Sequence, residues 1–208
     1  MKKVAVSIHA IDNFDPYILK GIEGYDYIHL DVMDGVFVPN KQYNLDAFKQ
    51  VSSKYDYPII GHLMVAHPKK DVEKIRNYVD IVIFHIEIEE KVGELINYIK
   101  RNELLVGLAI NPQTQVSRIL PHLDKVDVVL IMGVNPGYSS QEMIPNTPYK
   151  IAELYPHKNE YSFLIDVDGG VNLKNALLLK SADILTSASA ILKSDNPNEV
   201  IQKLKSIV

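Results

Sequence analysis

The 208-residue sequence has no cysteine and no tryptophan. Without cysteine there is no disulfide framework, no thiolate nucleophile and no cysteine-held metal. That absence is compatible with a reducing cytoplasm, the expected location. Long apolar runs are also missing, and none reaches the roughly 18 residues that mark a transmembrane helix. The opening MKKVAVSIHAIDNF has the basic start of a signal peptide. Its apolar run is short, His9 and Asp12 interrupt it, and no small-residue cleavage site follows. A basic surplus is lacking too: 22 Lys and Arg stand against 26 Asp and Glu, a net charge of −4. Neither nucleic acid nor a membrane surface is an expected partner. No linker, repeat of low complexity or composition break divides the chain, so residues 1–208 read as one domain.

What is present is a series of β-branched runs in a chain that is 47% hydrophobic. VAVSI (4–8), YIHLDV (27–32), IIGHLMV (59–65) and IVIFHIE (81–87) come first. LLVGLAI (104–110), VVLIM (128–132), FLIDVD (163–168) and DILTS (183–187) follow. Helix-like stretches lie between them: LDAFKQVSSKY, PKKDVEKIRNYV, EKVGELINYIKRN, TQVSRILPHL, PYKIAELY, NLKNALLLKS and PNEVIQKLKSIV. Strands apolar on both faces suit a parallel sheet covered by helices. Repeated β–α units of similar length predict an α/β fold, a single (β/α)8 TIM barrel. An open doubly wound sheet is the rival. It normally carries a glycine-rich turn after its first strand, and IHAIDNF has none.

Several strands carry ionisable groups. Alternation puts Tyr27, His29, Asp31 and Met33 on one face of YIHLDVMD, with Ile28, Leu30 and Val32 on the other. The apolar set suits the helix layer, so the polar set points into the barrel. The same parity pairs His62 with Met64, Asp166 with Asp168, and His85 with Glu87. These groups fall late in their strands, and the C-terminal strand ends carry the active site in such barrels. His29, Asp31, His62 and Asp168 therefore converge from three strands. Two imidazoles and two carboxylates suit one divalent ion such as Zn, Fe, Mn or Co. A metal would also offset the cost of burying charge. The other reading of His29 and Asp31 is a hydrogen-bonded core pair without an ion.

Three loops of small residues follow the last strands: VNPGYSS (134–140), DGGV (168–171) and SASA (187–190). Backbone N–H groups in such loops can approach an anion. Taken together, IHLDVMDGVFVPN, GHLMV, VNPG and VDGGV, in that order and spacing, resemble the ribulose-phosphate 3-epimerase family over nearly the whole chain. The resemblance implies an isomerase of carbohydrate metabolism, in the pentose phosphate reactions, that inverts carbon 3 of a ketose phosphate. It implies a metal on His29, Asp31, His62 and Asp168, with Asp31 and Asp168 also the acid/base pair. Ser7 would touch the substrate, and Met33, Met64 and Met132 would line the reacting centre. Gly137, Ser139, Ser140, Gly169, Gly170, Ala188 and Ser189 would hold the phosphate. Association into a homo-oligomer is also implied.

The chain departs from the family pattern in three places. His9 stands where leucine is usual, on the same face as Ser7, and is either a further substrate contact or a surface histidine. NPG is followed by Tyr-Ser-Ser where an aromatic and two glycines are usual. Ala188 replaces a glycine. If these loops need positive φ, the replacements are strained. A different ketose phosphate, or a sugar-phosphate-binding barrel without catalysis, are the alternatives. The Asp-x-Lys-x-x-Asp arrangement of barrel decarboxylases is absent, as is the His-x-His opening of barrel metal hydrolases. Asp34 is expected to stabilise a turn and Asp166 to be structural. His85, with Glu87, falls in the family's H-x-E stretch and is either a satisfied barrel histidine or a residue behind the metal ligands, and His67, His122 and His157 are expected to be solvated.

Overall fold

The structure, a computed structural model, describes residues 1–138 and 140–207. Eight parallel strands form the barrel: β1 (Lys3–His9), β2 (Tyr27–Asp34), β4 (Ile59–Met64), β5 (Ile81–His85), β6 (Leu105–Ile110), β7 (Val128–Met132), β8 (Leu164–Asp168) and β9 (Ile184–Ser187). β1 pairs with both β2 and β9, which closes the sheet. The two-residue β3 (Lys41–Gln42) runs antiparallel to the end of β2. Helices α1 (Asp46–Ser52), α2 (Lys69–Ile75), α3 (Val92–Arg101), α4 (Thr147–Leu154), α5 (Ser189–Leu192) and α6 (Pro197–Lys205) cover the outside. Among the described residues no helix is long and apolar enough to cross a membrane.

The two faces of each strand build two cores. Ile28, Leu30 and Val32 of β2 join Phe48 and Val51 of α1 in the layer between sheet and helices. Ala5, Tyr27, Ile60, Ile83, Ala109, Leu130 and Ile184 fill the barrel interior. Phe48 and Phe84 are both fully buried, and each such ring contributes about 2–3 kcal/mol by leaving water. Gly107 marks a tight point of the interior. A Cβ there would come within 2.5 Å of Ile83. The bulky β-branched side chain of β5 fits because its neighbour on β6 has none.

Two expected helices are 3-10 turns instead. Residues 114–123 form Val116–Arg118 and Leu120–His122, because Pro121 removes an N–H and crowds the preceding turn. Residues 172–181 keep one 3-10 segment, Ala176–Leu179. There Asn172 and Asn175 both donate to the Gly170 carbonyl, and such local bonds compete with a helix. The run at 81–87 stops pairing at His85, so Glu87 lies in the loop beyond β5. Proline does open α6, with the Asn196 side chain accepting from the Glu199 N–H as its cap.

Candidate functional site

Register brings the polar groups together. Asp31 lies beside His9 of β1 and His62 of β4, and His29 lies beside Ser7. Asp168 lies between Met132 of β7 and Thr186 of β9. The result is a tight cluster under the mouth of the barrel. His29 Nε2, His62 Nδ1 and Asp31 Oδ1 are 2.8–3.2 Å from one another. Asp168 Oδ2 is 3.9 Å from both imidazole nitrogens. One ligand-type atom from each of the four residues falls within 4.8 Å of all the others.

This group fits a divalent cation by its donor chemistry. Three lone-pair-bearing atoms face one point, and neutral imidazoles bring too few hydrogens to satisfy them mutually. His29 and His62 are fully buried and Asp31 is 3% exposed. His29 Nδ1 has no hydrogen-bond partner among the described residues. Buried nitrogen and carboxylate oxygen ligands suit Zn²⁺ and its neighbours.

Without an ion the charges pull the four groups apart. Burial opposes ionisation of Asp31, but His29 and then His62 outweigh it and hold the carboxyl well below its usual range. Burial and then the neighbouring Asp31 push Asp168 up to about 8. Burial would lower His29, yet Asp31, then Asp168 and Asp166, raise it to about 9. Burial dominates at His62 and lowers it to about 4, with Asp31 only partly offsetting. A cation would reorder all four.

Above the cluster is a cavity of about 250 Å³. Ser7, His9, Asp31, Met33, Met64, Met132 and Asp168 line its floor and walls, and Gly137, Ser140, Gly169, Gly170, Ala188 and Ser189 line its rim. Ser7 donates its hydroxyl to Asp31 Oδ2 at 2.8 Å. His9 is turned inward: Nε2 is 3.9 Å from Asp31 Oδ2, and Nδ1 meets the Gln42 side chain. Met33 and Met64 pack with Val38 on one side, and Met132 belongs to the barrel-interior core. Ser139 is outside the described residues.

The rim shows why glycine is needed at some positions and not others. Gly169 and Gly170 have φ of +107° and +70°, and a Cβ on either would strike a backbone nitrogen, that of Val134 or of Met143. Ser140 holds φ of +63°, so the serine carries the strain expected of a side chain in the left-handed region. Ala188 has φ of −105° and carries none. Ser140 also accepts a hydrogen bond at 3.3 Å from Lys193 Nζ.

Other polar residues sort by contact. Asp34 accepts from the N–H groups of Val36, Phe37 and Ala66, fixing the turn after β2. Asp166 accepts from the Thr186 hydroxyl inside the barrel, one layer below Asp168. His67 is exposed, with Glu90 3.7 Å from its ring. His85 is fully buried, and its Nε2 is 2.9 Å from His62 Nε2. Sequence reasoning missed Gln42, Gln141, Asn172 and Thr186, which touch or line the cavity. Alternation could have found Thr186, which shares β9 with the small-residue loop. Gln42 sits on a two-residue strand that has no sequence signal.

Comparisons with known proteins agree with this geometry. The family model described as "Ribulose-phosphate 3 epimerase family" matches residues 3–192. A relative in Treponema pallidum, named ribulose-phosphate 3-epimerase, is 38% identical over 80% of this chain and 79% of its own. The Methanocaldococcus jannaschii protein of the same name is 36% identical over 99% of this chain and 90% of its own. That of Escherichia coli K12 is 35% identical over 88% and 84%. Among solved structures, 3-hexulose-6-phosphate synthase from Salmonella typhimurium superposes with a TM-score of 0.71. At 13% identity over 99% of this chain and 97% of that one, it speaks for the fold alone. The match over nearly the whole chain, with the His and Asp residues meeting at the barrel mouth, places the chain in the ribulose-phosphate 3-epimerase family.

Proposed function

We propose that the protein inverts carbon 3 of a ketose phosphate, with D-ribulose 5-phosphate and D-xylulose 5-phosphate as the default pair. The observation that carries this reading is the pairing of Asp31 and Asp168 with His29 and His62 at one point beneath the cavity. Carbon 3 is next to a ketone, so its proton is acidic enough to be removed. Inversion needs removal from one face and delivery to the other, which two carboxylates can perform in turn. Asp31 and Asp168 take these roles, one ionised and one protonated at the start of each turnover. Ser7 holds Asp31 through its hydroxyl. His29, Asp31, His62 and Asp168 would hold one divalent ion, Zn, Fe, Mn or Co, which supplies a Lewis acid against the negative charge developing on the substrate oxygens. Met33, Met64 and Met132 keep the reacting carbon against a polarisable wall with few competing donors. The rim residues Gly137, Ser140, Gly169, Gly170, Ala188 and Ser189 take the phosphate through backbone N–H groups and serine hydroxyls.

His9, Ser140 and Ala188 favour a second reading, the same chemistry on a different ketose phosphate. His9 lines the cavity beside Asp31, where a substrate hydroxyl could meet it. The test is proton NMR in D₂O of the metal-reconstituted protein with a panel of ketose phosphates. Loss of the C3 proton of ribulose 5-phosphate as xylulose 5-phosphate appears supports the default pair. Faster turnover of a longer ketose phosphate supports the second reading. Failure on the whole panel with metal bound sinks both.

A further inference from the structure

A buried polar chain leads away from the cluster through the end of β5, whose His85 and the following Glu87 do not line the cavity. His62 Nδ1 faces Asp31, and His62 Nε2 is 2.9 Å from His85 Nε2. The two rings stack with centroids 5.1 Å apart and an interplanar angle of 21°. His85 Nδ1 is 3.3 Å from Glu87 Oε2. That contact is imperfectly aligned, and neither atom has another partner among the described residues. The other carboxylate oxygen, Oε1, accepts from the Asn111 N–H at 2.9 Å and from the Thr114 hydroxyl. Buried Lys150 donates to the Asn111 and Thr114 carbonyls and so ties down that loop. Both histidines are fully buried, so no water competes for their nitrogens.

Hydrogen counting gives this chain a direction. A neutral imidazole carries one N–H. If His62 Nδ1 is bare toward the cation, its hydrogen is on Nε2. Among the described residues the acceptor facing it there is His85 Nε2, so the hydrogen of His85 is on Nδ1, facing Glu87. Run the other way, the chain leaves His85 Nδ1 and a carboxylate as two acceptors with no hydrogen between them, a costly arrangement in a buried site. Burial works against the charge on Glu87, but His85, Thr114 and Asn111 outweigh it and hold the carboxyl below its usual range.

We infer that Glu87 and His85 are positioning residues that fix the tautomer of His62, presenting its bare Nδ1 to the metal. The inference rests on the metal reading above and goes beyond the four ligands themselves. Glu87→Gln is the discriminating change. The amide oxygen stays with Asn111 and Thr114, which both donate, so its NH2 turns to His85 Nδ1. That moves the His85 hydrogen to Nε2 and forces the His62 hydrogen onto Nδ1, where the cation belongs.

The experiment measures Zn²⁺ affinity by competition with a chelator, on wild type and variants, with urea unfolding of the metal-free proteins as control. Stoichiometric Zn²⁺ on wild type is required first, and its absence overturns the metal reading itself. Glu87→Gln is expected to weaken Zn²⁺ by about 10–100-fold, the usual cost of losing an outer hydrogen-bond partner. His85→Gln, whose carbonyl can still accept from His62 Nε2, is expected to recover most of that affinity, and Glu87→Gln added to it to cost little more. Wild-type affinity in a folded Glu87→Gln protein overturns the inference. Nitrogen-15 spectra of the zinc-loaded wild type give an answer that does not depend on any variant folding. They are expected to show the hydrogen of His62 on Nε2 and that of His85 on Nδ1. A His85 hydrogen on Nε2 overturns the relay while leaving the metal site intact.

Discussion

Asp168→Asn removes one of the two carboxylates proposed to carry protons, at almost no cost to the fold. The side chain is 13% exposed at the end of its strand, and its carboxylate makes no hydrogen bond to another side chain among the described residues. Asparagine has the same shape and lacks the charge that Asp31 opposes. The metal-free variant should therefore unfold at the same denaturant concentration as wild type or at a slightly higher one. Its advantage should grow as pH rises from about 4 to about 8 and level off above that. The folded-state pKa of Asp168 is raised to about 8, so the stability this group contributes is complete below its unfolded value and lost as pH rises through 8. Loss of the carboxylate takes away one proton transfer, worth about 10²–10⁴ in rate, or about 3–5 kcal/mol of barrier at 1.36 kcal/mol per factor of ten. The assay is inversion of ribulose 5-phosphate followed by NMR in D₂O, with metal content measured on the same sample. Deuterium entering C3 without inversion would identify Asp31 as the carboxylate on the ribulose face. Inversion within tenfold of wild type by a folded, metal-loaded variant would refute the two-carboxylate reasoning.

Three further outcomes follow from single side chains, two at the cavity rim and one on the buried side of α2. Ser140→Gly should relieve the left-handed strain at φ +63°, raising stability by about 1 kcal/mol, which a thermal melt reads as a shift of about 2–4 °C. Lys193→Met should raise KM for a phosphorylated substrate about two- to fivefold, the scale of an exposed charge contact, with kcat unchanged. No lysine or arginine lines the cavity among the described residues, and the difference should shrink in high salt because screening weakens exposed charges. Burial raises the pKa of Asp71, with Tyr43 only partly offsetting it. The contribution of this group to stability is thus present below its unfolded value and lost as pH climbs through its folded value. Asp71→Asn should gain stability relative to wild type between pH 4 and pH 7 in urea titrations, and a gain in the opposite direction would contradict the burial argument.

By itself the amino-acid sequence determined the barrel and the identities of the converging residues. Side-chain direction in a strand is local, so alternation along YIHLDVMD assigned His29 and Asp31 to the interior and Leu30 and Val32 to the helix layer. Strand spacing carried the β–α order for the same reason. Local pattern was less reliable where turns compete with helices, as Pro121 and the asparagines at 172 and 175 show. Only the tertiary structure decided which atoms meet. His62 turns Nδ1 toward Asp31 and Nε2 toward His85 because register places its strand between theirs. Gln42 meets His9, and Lys193 meets Ser140, across separations of 33 and 53 residues. Such contacts depend on how loops return over a closed barrel, and a local pattern does not encode the path of a chain through space.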